Sequence, residues 1–278
     1  MNRERVWVTG AGGLIGNYLV QTAARCAPSA EVVGLTRVLD LTNFAAVDRE
    51  FKAQSPSAII HCAAMSRSPE CQANPDKARK INIDATRHLA QLAADRPFVF
   101  FSTDLVFDGQ RGNYTETDSV NPLSVYAETK VAAEQAVLAN PRHIVVRTSL
   151  NSGVSPTRDR GFDEQIHKSW EEGQTLNLFI DEFRSPVGAE ITAIAVWELL
   201  RDGQPGLYHV AGSERLSRWK IGELLALRWP QFAARMNRGS IKDWRGAPRP
   251  ADTSFNCSKV QALLSFQLPR WSDWMKNT

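Results

Sequence analysis

Several features that mark whole classes of protein are scarce or missing in this 278-residue sequence. The four cysteines form no C-x-x-C pair and the five histidines show no metal-ligand spacing, so reduced thiols and no metal site are expected. No apolar run approaches the roughly 18 residues that a membrane span needs. Lysine and arginine are scattered and the net charge is only +3, so neither a membrane nor a nucleic acid is expected as a partner.

The N-terminus and the cysteines together favour the cytoplasm. The segment MNRERVWVTG is expected to enter the fold at once, without a signal peptide, and reduced thiols fit that compartment. Hydrophobic residues make up 43% of the chain and charged residues 23%, which is ordinary for a globular protein. The length is sufficient to bury a sizeable core.

A glycine-rich run near the N-terminus predicts a phosphate-binding turn. Val6–Val8 is expected to form a short buried strand, and three glycines spaced G-x-x-G-x-x-G lead from it into a helix. Glycine lets the backbone turn tightly and approach a ligand, while the amides and dipole of a helix N-terminus attract a pyrophosphate. The residues expected at this turn are Gly10, Gly13, Leu14, Ile15 and Gly16.

Strands and helices are predicted to alternate through the first half of the chain. The near-continuous apolar strands fit a parallel sheet that is covered on both faces. The predicted fold class is therefore α/β, with a doubly wound parallel sheet. Asn74 is expected to cap one of the helices. The predicted strands are 5–9, 31–35, 57–63, 97–102 and 143–148, and the predicted helices are 14–26, 42–53, 75–94 and 124–139.

The chain changes character after Leu150. Residues 151–161 are polar and contain glycine, proline and arginine, so they are expected to form a loop. The elements predicted beyond this loop are a helix at 162–172, a strand at 176–180, a helix at 191–200, a strand at 207–210, and helices at 217–228 and 258–264.

Long motifs in both halves of the chain match one family of proteins. The most specific are FFSTDLVFDG (100–109) and YTETDSVNPLSVYAETKVAAE (114–134). The others are IIHCAA (59–64), INIDAT (81–86), GLYHVAG (206–212) and APRPADTSF (247–255). Together they resemble the extended short-chain dehydrogenase/reductase superfamily and, more narrowly, the dTDP-4-dehydrorhamnose reductase family. The resemblance covers nearly the whole chain and is poor only between about 151 and 181.

The resemblance implies a Rossmann domain that is interleaved with a smaller C-terminal lobe. Residues 1–150 and about 187–212 would form the dinucleotide-binding domain. Residues 151–186 and 213–278 would form the substrate-binding lobe. A nucleotide sugar is the implied substrate, and a homodimer is an assembly that the sequence leaves open.

The spacing Tyr126-x-x-x-Lys130 places two reactive side chains on one helical face. An ammonium beside a phenol favours the phenolate, so Lys130 is expected to lower the pKa of Tyr126 towards the working range and to let it donate and regain a proton. By resemblance, Thr103 is the hydroxyl that bonds the substrate carbonyl, with Ser102 as the alternative. The resemblance also implies that Asn82 orders water near the lysine.

The end of the second predicted strand favours NADP over NAD as the cofactor. NAD enzymes place an acid there for the ribose 2′-hydroxyl, whereas this chain has Thr36 and Arg37, which suit a 2′-phosphate. NAD stays the alternative. The resemblance places the segment Arg147-Thr148-Ser149 beside the nicotinamide. The other expected cofactor-binding residues are Asp40, Leu41, Cys62, Ala63, Ala64, Met65, Ser102, Tyr126 and Lys130.

Departures from the family pattern concern the substrate. Leu105 follows Asp104 and cannot act as an acid or base, so the dehydration carried out by T-D-E relatives is not expected. The family usually has aromatic residues at the positions of Leu105 and Leu150, so the identity of the sugar stays open. Asp104, Arg184 and Arg249 are the expected substrate-binding residues, and the two arginines suit a pyrophosphate.

The resemblance implies an NADPH-dependent reductase of a 4-keto nucleotide-diphosphate sugar, with hydride delivered to the keto carbon and Tyr126 as the proton donor. Two alternatives stay open. A nucleotide-sugar 4-epimerase would use its cofactor in both directions, and a regulatory subunit of another enzyme would bind NADP without turnover. The presence of Thr103, Tyr126 and Lys130 favours an enzyme.

Overall fold

A parallel sheet is the central feature of the computed structural model, which describes residues 4–202, 204–233, 235–246 and 248–277. Its strands lie in the order β10-β5-β4-β3-β1-β2, so the predicted doubly wound α/β fold is confirmed. The strands of the described chain are β1 (Arg5–Thr9), β2 (Glu31–Leu35), β3 (Ala58–His61), β4 (Phe98–Thr103), β5 (Ile144–Thr148), β6 (Asn151–Ser152), β7 (Leu176–Phe179), β8 (Phe183–Arg184), β9 (Val187–Gly188), β10 (Gly206–Val210), β11 (Leu216–Ser217) and β12 (Met236–Gly239).

Helices follow most of these strands and cover both faces of the sheet. They are α1 (Leu14–Cys26), α2 (Phe44–Gln54), α3 (Ser68–Ala73), α4 (Pro75–Arg79), α5 (Ala85–Leu92), α6 (Val125–Leu138), α7 (Phe162–Glu171), α8 (Ala189–Asp202), α9 (Arg218–Arg228), α10 (Ser258–Gln261) and α11 (Trp271–Trp274). None of the helices in the described ranges is long and apolar enough to cross a bilayer.

The sheet is buried on both sides because alternate side chains of each strand enter different apolar clusters. In β1, Val6 and Val8 join the cluster that α1 and α8 cover, whereas Trp7 joins the cluster that α5 and α6 cover. β4 repeats this pattern with Phe101 on the first face and Phe100 on the second. Burial on both faces explains why these strands read as nearly continuous apolar runs.

Three predicted details of the helices were wrong. The helix predicted at 75–94 is interrupted by a π-helical turn at Lys80–Asp84, which separates α4 from α5. Asn74 does not cap α4 with its side chain. It also ends α3, and its Nδ2 donates a hydrogen bond to the carbonyl of Glu70 at 3.2 Å instead. The predicted helix at 258–264 is shorter, since α10 ends at Gln261.

The later part of the chain contributes to two different cores. β10 pairs in parallel with β5, and the side chains of α8 pack in the cluster that contains Leu19 of α1. A separate apolar cluster joins α7, α9 and α11 through Trp170, Leu225 and Trp271. The predicted division into a domain of residues 1–150 plus 187–212 and a lobe of the remaining residues stays a prediction.

Candidate functional site

The carboxyl ends of β1, β3 and β4 meet at one edge of the sheet. The strand order reverses there, because β2 lies on one side of β1 and β3 on the other. Open α/β sheets bind ligands in the crevice at such a point. The glycine turn follows Thr9, the segment 62–65 follows His61, and the STD motif ends β4 with Thr103, so three of the predicted groups of residues lie at this edge.

The turn after β1 is packed so closely that two of its glycines have no space for a side chain. Gly10 has a φ of 71°, and a Cβ on it would lie 2.7 Å from the Ala63 nitrogen. A Cβ on Gly16 would lie 2.3 Å from the carbonyl oxygen of Gly10, so its absence lets α1 approach the turn. Around Gly12, in contrast, no described atom lies within 4 Å of the missing Cβ, so the outer side of the turn is open.

The first turn of α1 has no capping side chain within the described residues. Gly13 is the N-cap, and no side chain of the described chain caps this helix, which begins with Leu14 and Ile15. Amides at a helix start have no partner within the helix, and the helix dipole favours negative charge there. A pyrophosphate group therefore fits the position that the glycine spacing predicts.

The position predicted for a ribose phosphate follows β2 at the same edge. Thr36 and Arg37 are exposed, and Arg37 has no hydrogen-bond or ion-pair partner within the described ranges. Asp40 is held by Thr42, whose N–H and hydroxyl donate to Oδ1 at 2.9 and 2.8 Å and lower the pKa of the carboxyl group. Leu41 packs against the apolar cluster around Trp7. A guanidinium without an acidic neighbour fits a 2′-phosphate.

His61 links the ends of β1 and β3. Its Nδ1 lies 2.7 Å from the Thr9 hydroxyl and its Nε2 lies 3.0 Å from the Thr86 hydroxyl. The Thr9 hydroxyl also accepts a hydrogen bond from the Ala63 N–H at 3.3 Å. Burial lowers the pKa of His61 to about 3, so the ring is neutral and has a structural role. It supports the half-buried segment of Cys62, Ala63, Ala64 and Met65 that is predicted to lie beneath the cofactor.

The π-helical turn at Lys80–Asp84 brings Asn82 into the interior of the protein. Its Oδ1 accepts a hydrogen bond from the Met65 N–H at 2.8 Å, and its Nδ2 donates to the Met65 carbonyl and the Thr129 hydroxyl, each at 3.0 Å. Asn82 therefore joins the segment that ends at Met65 to α6, one residue before Lys130. Its predicted role in ordering water stays a prediction.

Tyr126 and Thr103 meet where β4 ends. Tyr126 is half-buried in the first turn of α6, whose N-cap Ser124 accepts a hydrogen bond from the Ala127 N–H. The Thr103 hydroxyl lies close enough to the Tyr126 phenol to act on its pKa. Thr103 Oγ1 accepts a hydrogen bond from the Leu105 N–H at 3.2 Å. This bond holds the Thr103 side chain at the end of the strand. The structure thus brings together the phenol of Tyr126 and the hydroxyl of Thr103, which the sequence predicts to act on the same substrate.

Lys130 lies one helical turn after Tyr126 and is only 3% exposed. Its Nζ is 4.0 Å from the centre of the Phe100 ring. Burial lowers the pKa of Lys130 to about 7, although the negative charge of Glu134 opposes this shift. The ammonium therefore loses its proton far more readily than an exposed lysine does.

The pKa of Tyr126 lies above its ordinary value. Burial is the main cause, and the charge of Asp104 adds to it, whereas the neighbouring Thr103 hydroxyl opposes it. The predicted lowering of the Tyr126 pKa by Lys130 is therefore wrong for this structure. Burial removes water from the phenolate, and the interactions with neighbouring groups do not compensate for the lost hydration energy.

Asp104 and Arg184 form a buried ion pair next to Thr103. The Arg184 Nη1 donates to Asp104 Oδ2 at 3.0 Å, and both residues are below a tenth exposed. The hydroxyls of Ser149 and Thr253 donate to the same carboxylate oxygen at 2.6 and 3.0 Å. These two predicted substrate-binding side chains are therefore engaged with protein groups. The buried Nε of Arg184 is an exception and has no partner within the described chain.

Glu182 binds both arginines that the sequence assigns to the pyrophosphate. Its carboxylate accepts a hydrogen bond from Nη2 of Arg184 at 3.2 Å. It also accepts hydrogen bonds from Nε and Nη2 of Arg249 at 2.8 and 3.0 Å. Burial opposes ionisation of Glu182, but the two arginines outweigh it and hold its pKa at about 2. The Arg249 side chain is 34% exposed and lies 5.3 and 5.5 Å from the rings of Phe179 and Trp244. Arg249 is therefore accessible to a ligand, whereas Arg184 is not.

Glu182 and Arg218 also belong to this site, although the sequence did not predict them. Arg218 begins α9 and is half-buried, and its N–H donates to the Glu182 carbonyl at 2.9 Å. No motif in the sequence distinguishes either residue from an ordinary surface charge. Ser102, which the analysis includes among the cofactor-binding residues, is buried with its hydroxyl unpaired in the described part of the chain.

Comparison with known proteins identifies the family. A family model described as the RmlD substrate binding domain matches residues 4–278. The chain is 30% identical to the "probable low-salt glycan biosynthesis reductase Agl14" of Haloferax volcanii, over 96% of this chain and 94% of that protein. It is 27% identical to the dTDP-4-dehydrorhamnose reductase of Sinorhizobium fredii, over 97% and 94%. It is also 27% identical to the methionine adenosyltransferase 2 subunit beta of Rattus norvegicus, over 94% and 82%.

Solved structures show the same fold. A dTDP-4-dehydrorhamnose reductase from Clostridium acetobutylicum superposes with a TM-score of 0.88 at 26% identity, over 98% of this chain and 97% of that one. The enzyme of the same name from Bacillus anthracis, solved in complex with NADP, superposes with a TM-score of 0.90 at 24% identity, over 99% and 98%. Agreement over nearly the whole length means that the later part of the chain also shares the architecture of these proteins.

Proposed function

Because the chain belongs to the RmlD substrate-binding domain family, within the extended short-chain dehydrogenase/reductase superfamily, we propose that it is an NADPH-dependent reductase of a 4-keto nucleotide-diphosphate sugar. One observation carries the proposal. The Tyr126 phenol and the Thr103 hydroxyl are neighbours at the carboxyl end of the sheet, and Lys130 is buried one helical turn after the tyrosine. A carbonyl reductase needs such a proton donor and a second hydroxyl for the same oxygen.

Tyr126 is the proposed proton donor. Burial raises its pKa, so the phenol keeps its proton at neutral pH and can give it to the oxygen on which negative charge develops. Thr103 holds that oxygen with its hydroxyl. Lys130, whose pKa is lowered to about 7, supplies positive charge next to the tyrosine when protonated and returns a proton to it after turnover.

NADPH is the proposed cofactor, and when bound it supplies the hydride. The first turn of α1 would hold its pyrophosphate, and Arg37 its 2′-phosphate. The unpaired hydroxyl of Ser102 would find a partner on the cofactor. The free guanidinium of Arg37 supports NADP over NAD, which stays the alternative.

A regulatory subunit is the second candidate function. It is favoured by the similarity to methionine adenosyltransferase 2 subunit beta over 94% of this chain. Such a protein would bind the cofactor and a partner enzyme without turnover. Burying the charge of Lys130 costs folding free energy. A protein that only binds the cofactor would gain nothing from a buried lysine near Tyr126 and Thr103.

The test is NADPH oxidation by the full chain against a panel of 4-keto nucleotide sugars and the same sugars without the nucleotide. The proposal expects consumption of NADPH only with the nucleotide sugars, and its loss in Tyr126→Phe. A 4-epimerase would interconvert substrates without net consumption. Cofactor binding without any turnover, together with binding to a methionine adenosyltransferase, would replace the reductase with the regulatory function.

A further inference from the structure

Three arginines surround two carboxylates at the junction of β8 with α9. Arg184, Arg218 and Arg249 lie close enough to Glu182 to act on its pKa or on one another. Asp104 is the second carboxylate and binds Arg184. Three positive charges thus face two negative ones, and one guanidinium has no carboxylate bonded to it within the described ranges.

That guanidinium belongs to Arg218. β11 pairs antiparallel with β8, with Ser217 opposite Phe183, and this register places Arg218 beside Glu182. Within the described ranges its side chain makes no hydrogen bond and no ion pair, whereas Arg184 and Arg249 are bonded to carboxylates. A half-buried guanidinium without an acceptor is costly to maintain unless a ligand supplies one.

The position of Arg218 matches one end of an elongated ligand. A chain of direct contacts runs from Tyr126 and Thr103 through Asp104 and Arg184 to Glu182, whose carbonyl binds the Arg218 N–H. This buried network links Tyr126 at one end to Arg218 at the other, so an elongated substrate with its reacting carbon at Tyr126 and its anionic part at Arg218 would span the two ends.

We propose that Arg218 binds the diphosphate group of the substrate, with the accessible Arg249 as its neighbour. The inference rests on the proposed function and deepens it. Burial and the adjacent arginines lower the pKa of Arg218 to about 10, which leaves it fully charged at neutral pH. One guanidinium can donate hydrogen bonds to two oxygens of a phosphate, so two arginines suit the two phosphates of a diphosphate. Arg184 acts behind them as a positioning residue for Asp104 and Glu182.

The experiment measures binding of a nucleoside diphosphate by titration calorimetry on the full chain with NADP present. The variants are Arg218→Gln, Arg218→Lys, and Arg228→Gln as a matched control at the exposed end of the same helix. We expect Arg218→Gln to weaken binding about 10- to 100-fold, Arg218→Lys to weaken it less, and Arg228→Gln to leave it unchanged. The uncharged nucleoside should bind all of them equally, and the melting temperature of Arg218→Gln should not fall.

Two failures would be distinguishable. If the unmodified protein binds the nucleoside diphosphate and Arg218→Gln binds it equally well, the assignment of Arg218 is wrong while the proposed function stands. If the unmodified protein binds neither the nucleoside diphosphate nor inorganic pyrophosphate, the nucleotide-sugar function itself fails, and the role of Arg218 fails with it.

Discussion

Glu134 and Arg147 form a two-pronged ion pair in the interior of the protein. Nε and Nη2 of Arg147 donate to the two carboxylate oxygens of Glu134 at 2.9 and 2.7 Å. The side chains are only 4% and 5% exposed. The pair ties β5 to α6, the helix that carries Tyr126 and Lys130. The predicted position of the Arg147-Thr148-Ser149 segment beside the nicotinamide stays a prediction, and the Arg147 guanidinium itself is bonded to Glu134.

Replacing Glu134 with glutamine is therefore expected to destabilise the protein by about 3–5 kcal/mol, because it leaves the Arg147 guanidinium buried without a counter-charge. Urea unfolding measures the change. Glu128→Gln on the exposed face of α6 is the control and should change the free energy of unfolding by less than about 0.5 kcal/mol. Equal effects of the two substitutions would mean that the ion pair does not hold the helix.

Arg37→Ala should weaken NADPH binding while leaving NADH binding nearly unchanged. A charged hydrogen bond to the 2′-phosphate contributes roughly 1.5–3 kcal/mol, which corresponds to about a 10- to 150-fold change in affinity. Fluorescence titration with both cofactors measures it. Arg49→Ala, an exposed arginine on α2, is the matched control. If the unmodified protein binds NADPH and NADH equally, the NADP preference has to be withdrawn.

Tyr126→Phe should reduce kcat by about 10²- to 10⁴-fold, because general acid catalysis contributes about that much. Cofactor affinity should stay nearly the same, since the ring still packs at the start of α6. Steady-state kinetics and cofactor titration are the measurements, and Tyr208→Phe on β10 is the control for loss of a phenol elsewhere. Near-full activity of Tyr126→Phe would require another proton donor.

Lys130→Met should stabilise the cofactor-free protein and at the same time abolish turnover. The folded-state pKa of about 7 lies below the unfolded value near 10.4, so the unfolded chain binds more protons between these pH values. The cost of burying the ammonium is full below about pH 7 and disappears as pH rises towards 10. The gain should therefore be roughly 2–4 kcal/mol at pH 6 and much smaller at pH 9.

Thermal unfolding of Lys130→Met at the two pH values tests this expectation, with the exposed Lys77→Met as the control. A stability gain that does not depend on pH would point to better apolar packing over Phe100 and not to relief of a buried charge. A loss of stability at pH 6 would mean that the ammonium is satisfied by its surroundings.

Local patterns were enough to predict most of the fold. The glycine spacing predicts the turn and α1 at 14–26, and the structure has α1 at Leu14–Cys26. Strands that are apolar throughout predict a sheet covered on both faces, which is what the clusters around Val8 and Trp7 show. The interruption at Lys80–Asp84 could not be predicted, because Asn82 is drawn inward by partners at Met65 and Thr129.

The sequence by itself determined the order of elements, the glycine turn and the spacing of Tyr126 and Lys130, because these depend on neighbours along the chain. Only the tertiary structure determined which charged side chains are bonded to a partner. Arg184 and Arg249 are bonded to Glu182, whereas the Arg218 side chain has no hydrogen-bonded partner in the described part of the chain, through contacts between segments that are far apart in sequence. Burial likewise decides the protonation of Tyr126 and Lys130, since desolvation depends on the whole surrounding fold and not on residue type.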